Sequence, residues 1–385
     1  MGTAAARRGP IAVVGRGDTV GDALRGVATH GLADPPVLIA DSPLPDDLWR
    51  RLLSRVSYQR LAGFLRAAVD DGALPVTDDQ LEDVAELHLG ACGVALELEA
   101  QLVEIADLLC AAGIPMVALK GTAVAHLAYP DPALRSYGDN DVLVPSERYD
   151  EVVALLSVNG YTRQTLEARP GFERRFAKGV TLRGQDGDEL DLHRNLVFGT
   201  FGFRIDLGEL FRSAVPFELA GRQLFGLGPE TRLLHACYHA ALGDPVPRYG
   251  SVRDVAQMVI TGDHDTDRVL SLARAWESQA VLARAVGLCR DLLGIELDGA
   301  LAATVGGYVP SRRERRAIAS YVGDNRHTAV KAMASLPYLH GFAAKTAFLR
   351  AMAFPQEGFA ESFGGRSGLG WVRRGLRSLV RGGRR

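Results

Sequence analysis

The sequence lacks the features that mark disulfide-rich, zinc-ribbon and membrane-spanning proteins. Its 385 residues include four cysteines, which are scattered at Cys92, Cys110, Cys237 and Cys289. This spacing disfavours a zinc ribbon or a disulfide scaffold and favours free thiols in a reducing compartment. The apolar run at residues 11–14 is too short for a signal peptide, and no run approaches the roughly 18 residues of a membrane span. We therefore expect a cytoplasmic protein with no transmembrane segment.

A strong excess of charge is also missing. The formal net charge is -2 at pH 7 and the pI is about 6.5. Domains that bind nucleic acid usually carry a basic footprint, so any polyanion contact must be local. Hydrophobic residues make up 47% of the chain, which is enough for a sizeable core, and the length allows two or three structural units.

Apolar periodicity and turn residues divide the chain into segments. Apolar residues at spacings of three and four predict helices from residue 46 onward. The fold class that we expect is α+β, with a small mixed sheet flanked by helical units. The segments are an N-terminal extension at 1–45, a helical unit at 46–108, a sheet-containing core at 109–200, a C-terminal helical substrate-side unit at 201–355 and a basic Gly/Arg-rich tail at 356–385.

Several elements within these segments can be predicted more closely. Thr77 is placed to cap a helix of about thirty residues that ends near Gly113. Turn and cap signals also predict a helix after Asp18 and a hairpin turn. The remaining ranges are a strand at 11–14, a buried strand at 114–119, a capped helix at 146–156, a strand-rich stretch at 160–192 with its turn at 183–188, and helical runs at 229–242, 252–260, 269–292 and 312–322.

Two aspartates flank a single residue and lead into the apolar run 142–144. Aspartate is a poor strand former, so Asp139 and Asp141 suggest a strand whose opening serves chemistry. Side chains at i and i+2 share a face of a strand, and Mg²⁺ is commonly held by one or two carboxylates with substrate phosphates. The pair is a candidate metal platform. The alternative is that both aspartates cap the turn after Gly138.

A glycine turn before the aspartates offers groups that could hold phosphate. Gly121 lets the backbone approach a ligand, and a helix that starts at Thr122 would present free N–H groups. Lys120 and Thr122 add a cation and a hydroxyl, and Arg135 could contact phosphate oxygens in a bidentate way. Alternatively, Arg135 is only a surface ion-pair partner and Lys120 extends from the edge of the core.

A third carboxylate and three histidines complete the set of candidate residues. Asp191, two residues after Glu189, could bind metal and take the proton from a substrate hydroxyl. Alternatively, it could belong to a solvated strand edge. His193 would share the face of Asp191 and either order substrate or serve the structure. His235 and His239 lie at i and i+4 and could contact substrate, bind zinc or pack within the helices. Further toward the C-terminus, Asp254 and its neighbours Arg248 and Arg253 are candidates for the acceptor side.

These motifs resemble the DNA polymerase beta-like nucleotidyltransferase superfamily and, more narrowly, bacterial nucleotidyltransferase family proteins that are poorly characterised. The resemblance is strongest over residues 109–195. It implies Mg²⁺, with two ions, and a nucleoside triphosphate, ATP foremost. The residues that it places in the site are Lys120, Gly121, Thr122, Arg135, Asp139, Asp141, Asp191 and His193.

The function that we expect is Mg²⁺-dependent transfer of a nucleoside monophosphate from the triphosphate to a hydroxyl or phosphate of a small molecule or peptide product. A protein or tRNA acceptor, phosphoryl transfer and a non-catalytic nucleotide-binding scaffold stay open as alternatives. The tail carries a short basic amphipathic pattern over 372–381. That pattern predicts either docking on the protein or peripheral contact with a membrane or polyanion.

Overall fold

The computed structural model describes residues 19–32, 38–322, 331, 334–356 and 359. The strand expected at 11–14 and the basic amphipathic helix expected at 372–381 lie outside the described residues. None of the described helices is long and apolar enough to cross a membrane.

Helices account for most of the regular structure, as the apolar periodicity predicts. Most of the longer helices bury one face and expose the other. The α-helices are α1 Thr19–Thr29, α2 Asp46–Gln59, α3 Ala62–Asp70, α4 Asp78–Ala111, α5 Gly121–Ala128, α6 Tyr149–Val158, α7 Glu173–Phe176, α8 Leu207–Arg212, α9 Pro229–Leu242, α10 Tyr249–Thr261, α11 Thr266–Ala275, α12 Gln279–Leu288, α13 Ala300–Gly306, α14 Arg312–Val322 and α15 Phe342–Ala353.

A mixed sheet of seven strands forms the centre of the molecule, in the order β3-β4-β5-β2-β1-β7-β6. Strands β2 and β5 run parallel side by side, and β1 is antiparallel to β2 and parallel to β7. The strands are β1 Val117–Ala118, β2 Asn140–Leu143, β3 Thr162–Arg163, β4 Gly179–Arg183, β5 Glu189–His193, β6 Val215–Leu219 and β7 Arg222–Gly226.

Both faces of the central strands are covered by helices. Leu119 and Leu143 belong to the larger core cluster, which includes buried residues of α1, α2, α3, α9 and α10. Val142 and Leu192 belong to a second cluster with buried residues of α4 and α6. All four residues of β2 are buried, which is typical of a strand enclosed on both faces. A polar side chain on β2 must therefore find its partners inside the protein.

Several predicted elements are confirmed. Thr77 caps α4, where its side chain accepts from the Gln80 N–H and the Gln80 side chain accepts from the Thr77 N–H. The hairpin turn joins β4 to β5, with a hydrogen bond from the Gly184 N–H to the Asp188 carbonyl. Helices α9 and α14 have the predicted bounds 229–242 and 312–322. The expected α+β class with a mixed sheet is also confirmed.

Helix α6 begins three residues later than predicted. It starts at Tyr149, and no side chain caps its N-terminus. The Ser146 hydroxyl, which the sequence suggested as a cap, instead accepts a hydrogen bond from Arg194 Nε at 3.1 Å. A long-range contact has therefore taken the group that local sequence assigned to the helix.

A β-hairpin interrupts the segment that we expected to be helical from residue 201. Strands β6 and β7 pair antiparallel, and β7 joins the sheet beside β1. Their turn places Ala220 and Gly221 at φ 48° and 73°, the backbone of a type I′ turn, for which Asn-Gly is the common sequence. The helical prediction is wrong here because alanine at position 220 gives no sequence signal for such a turn. The division at residue 201 stays a prediction.

The run predicted as one helix at 269–292 is also divided. Helix α11 ends at Ala275, and Glu277 has a positive φ of 48° before α12 begins. Positive φ is uncommon for a residue with a side chain. Continuous apolar spacing therefore hid the break.

The capping box of α4 predicts a measurable loss of stability on Thr77→Ala. We expect the free energy of unfolding to fall by about 1 kcal/mol, because the Gln80 N–H of the first turn loses the hydroxyl oxygen that accepts its hydrogen bond. Urea denaturation measures this change. Thr304→Ala is the control, since that exposed hydroxyl only donates to the Ala300 carbonyl within its own helix, and it should change stability by less than about 0.5 kcal/mol. Equal losses would contradict the capping role.

Candidate active site

The register of two parallel strands brings the candidate carboxylates together. Asp141 of β2 lies opposite Asp191 of β5, and Leu143 lies opposite His193. A carboxylate oxygen from each aspartate and a ring nitrogen of His193 all lie within 4.8 Å of one another. Carboxylate oxygens suit hard cations such as Mg²⁺. Residues 50 positions apart in the chain therefore form one polar cluster.

Asp141 is buried and ion-paired. Its Oδ1 lies 2.7 Å from Lys120 Nζ and 2.8 Å from His193 Nε2. Burial opposes the charged form of this carboxyl, but the charge of Lys120 and the hydrogen bond from His193 overcome it and hold the pKa of Asp141 well below its usual range. The same pairing keeps the pKa of Lys120 above its usual value despite burial. Both groups are therefore charged at neutral pH.

His193 supports this carboxylate from within the sheet. Its Nε2 faces Asp141, and its Nδ1 lies 3.1 Å from the backbone carbonyl oxygen of Asn195. A carboxylate oxygen only accepts hydrogen bonds, so Nε2 donates to Asp141 and orients it. This arrangement gives His193 a positioning contact within the cluster.

Asp191 is held by a different set of partners. Thr181 donates its hydroxyl hydrogen to Oδ1 at 2.6 Å, and Lys178 Nζ lies 3.9 Å from Oδ2. Burial alone would raise the pKa of Asp191, but His193, whose Nε2 lies 3.8 Å from Oδ2, the charge of Lys178 and the Thr181 hydroxyl lower it to about 2. Burial and the nearby charge of Lys120 lower the pKa of Lys178. Asp191 is an ionised carboxylate that remains partly open to solvent.

The glycine turn leads from β1 into the short helix α5. Gly121 has φ +47°, and a Cβ there would meet the Asp139 carbonyl oxygen at 3.1 Å, so a residue with a side chain would be strained on both counts. Lys120 precedes α5 and points its ammonium group at Asp141. The Thr122 hydroxyl, however, lies 3.5 Å from the Asn140 side-chain oxygen and is buried. Its partner is thus internal.

Asp139 lies just before β2, at the same end of the strand as the cluster. Its Oδ1 accepts a hydrogen bond from Arg60 Nη1 at 3.2 Å, and its side chain is about one third exposed. It lines the cavity described below together with Asp141. Asp139 therefore shares the cavity with the cluster while making a separate ion pair.

Arg135 forms a buried bidentate ion pair. Its Nε and Nη2 each lie 2.8 Å from an oxygen of Asp254 in α10, and its Nη1 donates to the Gly121 carbonyl at 3.1 Å. Tyr129 donates to the same Asp254 oxygen at 2.8 Å. Burial would lower the pKa of Arg135, but the charge of Asp254 raises it. Arg135 therefore forms an ion pair, but the expectation that this pair would lie on the surface is wrong, because both side chains are largely buried.

A polar cavity of about 280 Å³ opens in front of these groups. It lies between the glycine turn and helices α9 and α10. Both cationic and carboxylate side chains line it, so it is suited to a polyanionic ligand bound with cations. The residues that line it include Arg60, Lys120, Gly121, Arg135, Asp139, Asp141, Lys178, His239, Asp244, Arg248, Ser251 and Asp254.

The two histidines of α9 have different positions. His239 lines the cavity. His235 lies on the same helix but is buried, and it is not among the described residues that line the cavity. Burial and the positive charge of Lys120 hold the pKa of each well below its usual range. Both rings are therefore neutral at pH 7, and only His239 is placed to meet a ligand in this cavity.

Comparison with known proteins now adds the family. A family model described as uncharacterised nucleotidyltransferase matches residues 45–294, which is more than half of the chain. The chain belongs to this family. The protein is accordingly an enzyme of the nucleotidyltransferase class. None of the curated proteins matches the sequence, and the bacterial source implied by the resemblance stays a prediction.

Solved structures of nucleotidyltransferases are similar to this nucleotidyltransferase only at low levels. The solution structure of the antibiotic-resistance factor ANT(2'')-Ia is 18% identical, covers 47% of this chain and 92% of its own, and has a TM-score of 0.34. Its crystal structure with adenylyl-2"-tobramycin is 17% identical, covers 47% of this chain and 98% of its own, and has a TM-score of 0.34. An antigenic nucleotidyltransferase-like protein from Paracoccidioides brasiliensis gives 13%, 56%, 97% and 0.31. These values are too low to carry an argument about the site.

Sequence reasoning missed three groups of this nucleotidyltransferase's site. Arg60 follows α2, and Lys178 and Thr181 stand before and within β4, so all three come from outside the recognised motifs. Thr181 could have been found from the predicted hairpin, because it pairs opposite Asp191 in the β4–β5 register. Arg60 and Lys178 carry no comparable signal, since each reaches the site through tertiary packing.

The Arg135–Asp254 pair predicts a large stability difference between buried and exposed ion pairs. Arg135→Ala should lower the free energy of unfolding by about 3–5 kcal/mol, because it leaves Asp254 charged and buried without its partner. Arg222→Ala is the matched control, since Arg222 forms an exposed pair with Asp107 at 3.2 Å, and it should cost at most about 1 kcal/mol. Chemical denaturation measures both. A similar small loss for the two variants would refute the structural role of Arg135.

The low pKa of Asp191 predicts a pH-dependent contribution to stability. A carboxyl whose pKa is lower in the folded than in the unfolded state stabilises the fold above the unfolded pKa, and this contribution is lost as pH falls toward about 2. Asp191→Asn removes it. The difference in the free energy of unfolding between wild type and variant should narrow by about 1 kcal/mol between pH 5 and pH 3. Urea titrations at the two pH values test this. A constant difference would show that Asp191 is not held ionised as described.

Proposed function

We propose that this nucleotidyltransferase moves a nucleoside monophosphate from a nucleoside triphosphate, ATP foremost, to a hydroxyl or phosphate of a small molecule or peptide product, and releases pyrophosphate. The observation that carries the proposal is the pair of ionised carboxylates, Asp141 and Asp191, held in register on parallel strands beside a cavity that Asp141 lines together with Lys120 and Lys178. Family membership supports the reaction class. We also propose a cytoplasmic location, where ATP is available.

The donor set supports binding of Mg²⁺. Asp141 and Asp191 present oxygen ligands within one cluster, and Asp139 faces the same cavity. In our proposal, these three carboxylates would hold the metal, with two ions as the resemblance implies. When bound, Mg²⁺ would supply charge neutralisation on the triphosphate. Lys120 would then be released from its pair with Asp141 and become available to a phosphate oxygen.

The glycine turn would hold the phosphates. Gly121 allows the backbone to approach a ligand closely, and α5 directs its first N–H groups toward that end. Lys178 and Arg60 add positive charge to the cavity. Arg135 would act indirectly, because its guanidinium fixes the Gly121 carbonyl. Thr122 would contribute through its backbone N–H, since its hydroxyl points to Asn140.

The bond changes follow from an in-line displacement. The acceptor oxygen forms a bond to the α-phosphorus, the bond from that phosphorus to the bridging oxygen breaks, and pyrophosphate leaves. We assign acceptance of the hydroxyl proton to Asp191. Because its pKa is about 2, it would pass the proton on to water, and its side chain, which is 27% exposed, has access to solvent. For a phosphate acceptor already ionised, no such proton transfer is needed.

The acceptor is proposed to be small because the cavity is small. Its volume is about 280 Å³, and helices α9 and α10 supply part of its wall. His239, Asp244 and Ser251 provide hydrogen-bonding groups on that wall. A protein or tRNA acceptor would need to insert a narrow end into this space.

The experiment compares transfer of label from α-labelled and γ-labelled ATP to a small-molecule and peptide extract. Asp141→Asn should reduce transfer of α-label by more than about 100-fold, the upper end for losing a group that only supports a metal ligand, and Asp139→Asn should also reduce it. Asp107→Asn is the control, because it makes the same chemical change at an exposed carboxylate paired with Arg222. It should leave transfer unchanged.

The outcomes separate the alternatives. Transfer of α-label that depends on Asp141 supports the proposal, and the labelled product identifies the acceptor. Transfer of γ-label alone would replace it with phosphoryl transfer. No transfer from any nucleotide to the small-molecule extract, to protein or to tRNA would contradict it.

A further inference from the structure

A second and larger cleft lies at the opposite end of the strands that carry the carboxylates. Strand β1 begins at Val117 and the chain passes into the glycine turn after it, while β2 runs in the reverse direction from Asp139. The cleft is lined by the residues that lead into β1 and follow β2. It has a volume of about 940 Å³, which lies in the range of small-molecule sites. It is separate from the cavity of the proposed reaction.

The walls of this cleft are mostly apolar. They come from the end of α4, the start of β1, the end of β2, helix α8 and strand β7. A mainly apolar cleft of this size with few polar groups is typical of sites that bind the body of an organic ligand. The apolar side chains that form the walls include Ile114, Met116, Val117, Val144, Phe211 and Phe225.

One charged side chain in the cleft is buried without a carboxylate partner. Arg194 is 7% exposed. Its Nε donates to the Ser146 hydroxyl at 3.1 Å and its Nη1 donates to the Ala177 carbonyl at 2.8 Å. Within residues 19–32, 38–322 and 334–356, no carboxylate forms an ion pair with it. Neutral oxygens thus satisfy two of its nitrogens and leave its charge unbalanced.

An unbalanced buried charge is costly, and two other arginines of the chain avoid the cost. Arg135 pairs with Asp254, and Arg253 lies 3.6 Å from the centre of the Phe64 ring. Among the described residues, Arg194 has neither kind of contact, and it lines an open cleft instead. Burial lowers the pKa of Arg194 to about 10, but the group still carries its charge at neutral pH. A ligand anion would supply the missing partner.

We propose that the cleft binds a free amphipathic carboxylate, whose head pairs with Arg194 and whose aliphatic chain lies against the walls formed by Ile114, Val144 and Phe225. The size of the cleft and its single buried cation favour one small ligand over a lipid held in a bilayer. Such a ligand would not compete with ATP, because the two sites lie at opposite ends of the strands.

Isothermal titration of the full-length protein with decanoate and with decanol tests the proposal. Decanoate should bind, and decanol, which has the same chain without the charge, should bind at least about tenfold more weakly. Arg194→Met should weaken decanoate binding by about 10- to 100-fold, the range expected for a charge-assisted contact. Arg194→Lys keeps the charge, and its affinity for decanoate should lie between those of the wild type and Arg194→Met. Saturating ATP should leave the decanoate affinity unchanged.

Arg212 provides the matched control. It lines the same cleft, but it is exposed and already paired with Asp206 and Glu209. Arg212→Gln should therefore keep decanoate affinity within about threefold. A loss in Arg212→Gln as large as that in Arg194→Met, or equal binding of decanol and decanoate, would overturn the assignment of the head to Arg194.

A second variant keeps the test decisive if Arg194→Met does not fold. Ala106 of α4 lines the cleft, and Ala106→Leu should weaken decanoate binding by filling it. The exposed Cys110 lies on the same lining, so in a Cys92→Ser background decanoate should slow its reaction with a thiol reagent. No protection and no effect of Ala106→Leu would refute the site. The protein could instead sediment with phosphatidylglycerol vesicles in the absence of decanoate. If that sedimentation depended on Arg194, it would overturn the free-ligand proposal.

Discussion

The structure depends on the lateral pairing of β2 with β5, which sets the buried carboxylate of Asp141 beside the partly exposed carboxylate of Asp191. Like charges at such a distance would repel each other and favour protonation. Lys120, Lys178 and His193 offset this repulsion, and each comes from a different part of the sheet. The sheet order is therefore linked to the electrostatics. Another register would separate either the carboxylates from each other or the cations from them.

The helices contribute by fixing the geometry of this charged group. Helix α5 holds the backbone from which Lys120 extends, and α10 provides Asp254, which anchors Arg135. Burial of both faces of the central strands shields much of the polar cluster from water. In such surroundings, electrostatic interactions are stronger than in water. The same helices that stabilise the sheet thus also determine how strongly the carboxylates hold their charge.

Local sequence predicted the parts of this arrangement that rest on local signals. Thr77 with Gln80, the glycine turn at Gly121 and the β4–β5 turn each follow from residue type and spacing. The match of Asp141 with Asp191 could be anticipated because both lay in predicted strands. Whether Arg135 contacts phosphate or forms an ion pair could not be decided from sequence, because its partner Asp254 is 119 residues away.

Other features depended on tertiary structure alone. Strands β6 and β7 are stabilised as an extension of an existing sheet, beside β1, and their turn uses Ala220 where Asn would have been recognised. Lys178 and Arg60 lie in segments with no pattern that points to ligand binding. Thr122 faces inward because Asn140, itself bonded to the Leu98 carbonyl and to Gln101, is buried beside it. Each of these outcomes depends on neighbours that are distant in sequence.

The contact of Arg135 with both Asp254 and the Gly121 carbonyl has a mechanical consequence. A single rigid guanidinium joins a helix of the C-terminal part of the chain to the turn that faces the carboxylates. Movement of α10 relative to the sheet would therefore pull on the backbone of that turn. A molecule that displaces the α10 wall of the cavity would thereby also displace the glycine turn on the opposite wall, without contacting that turn.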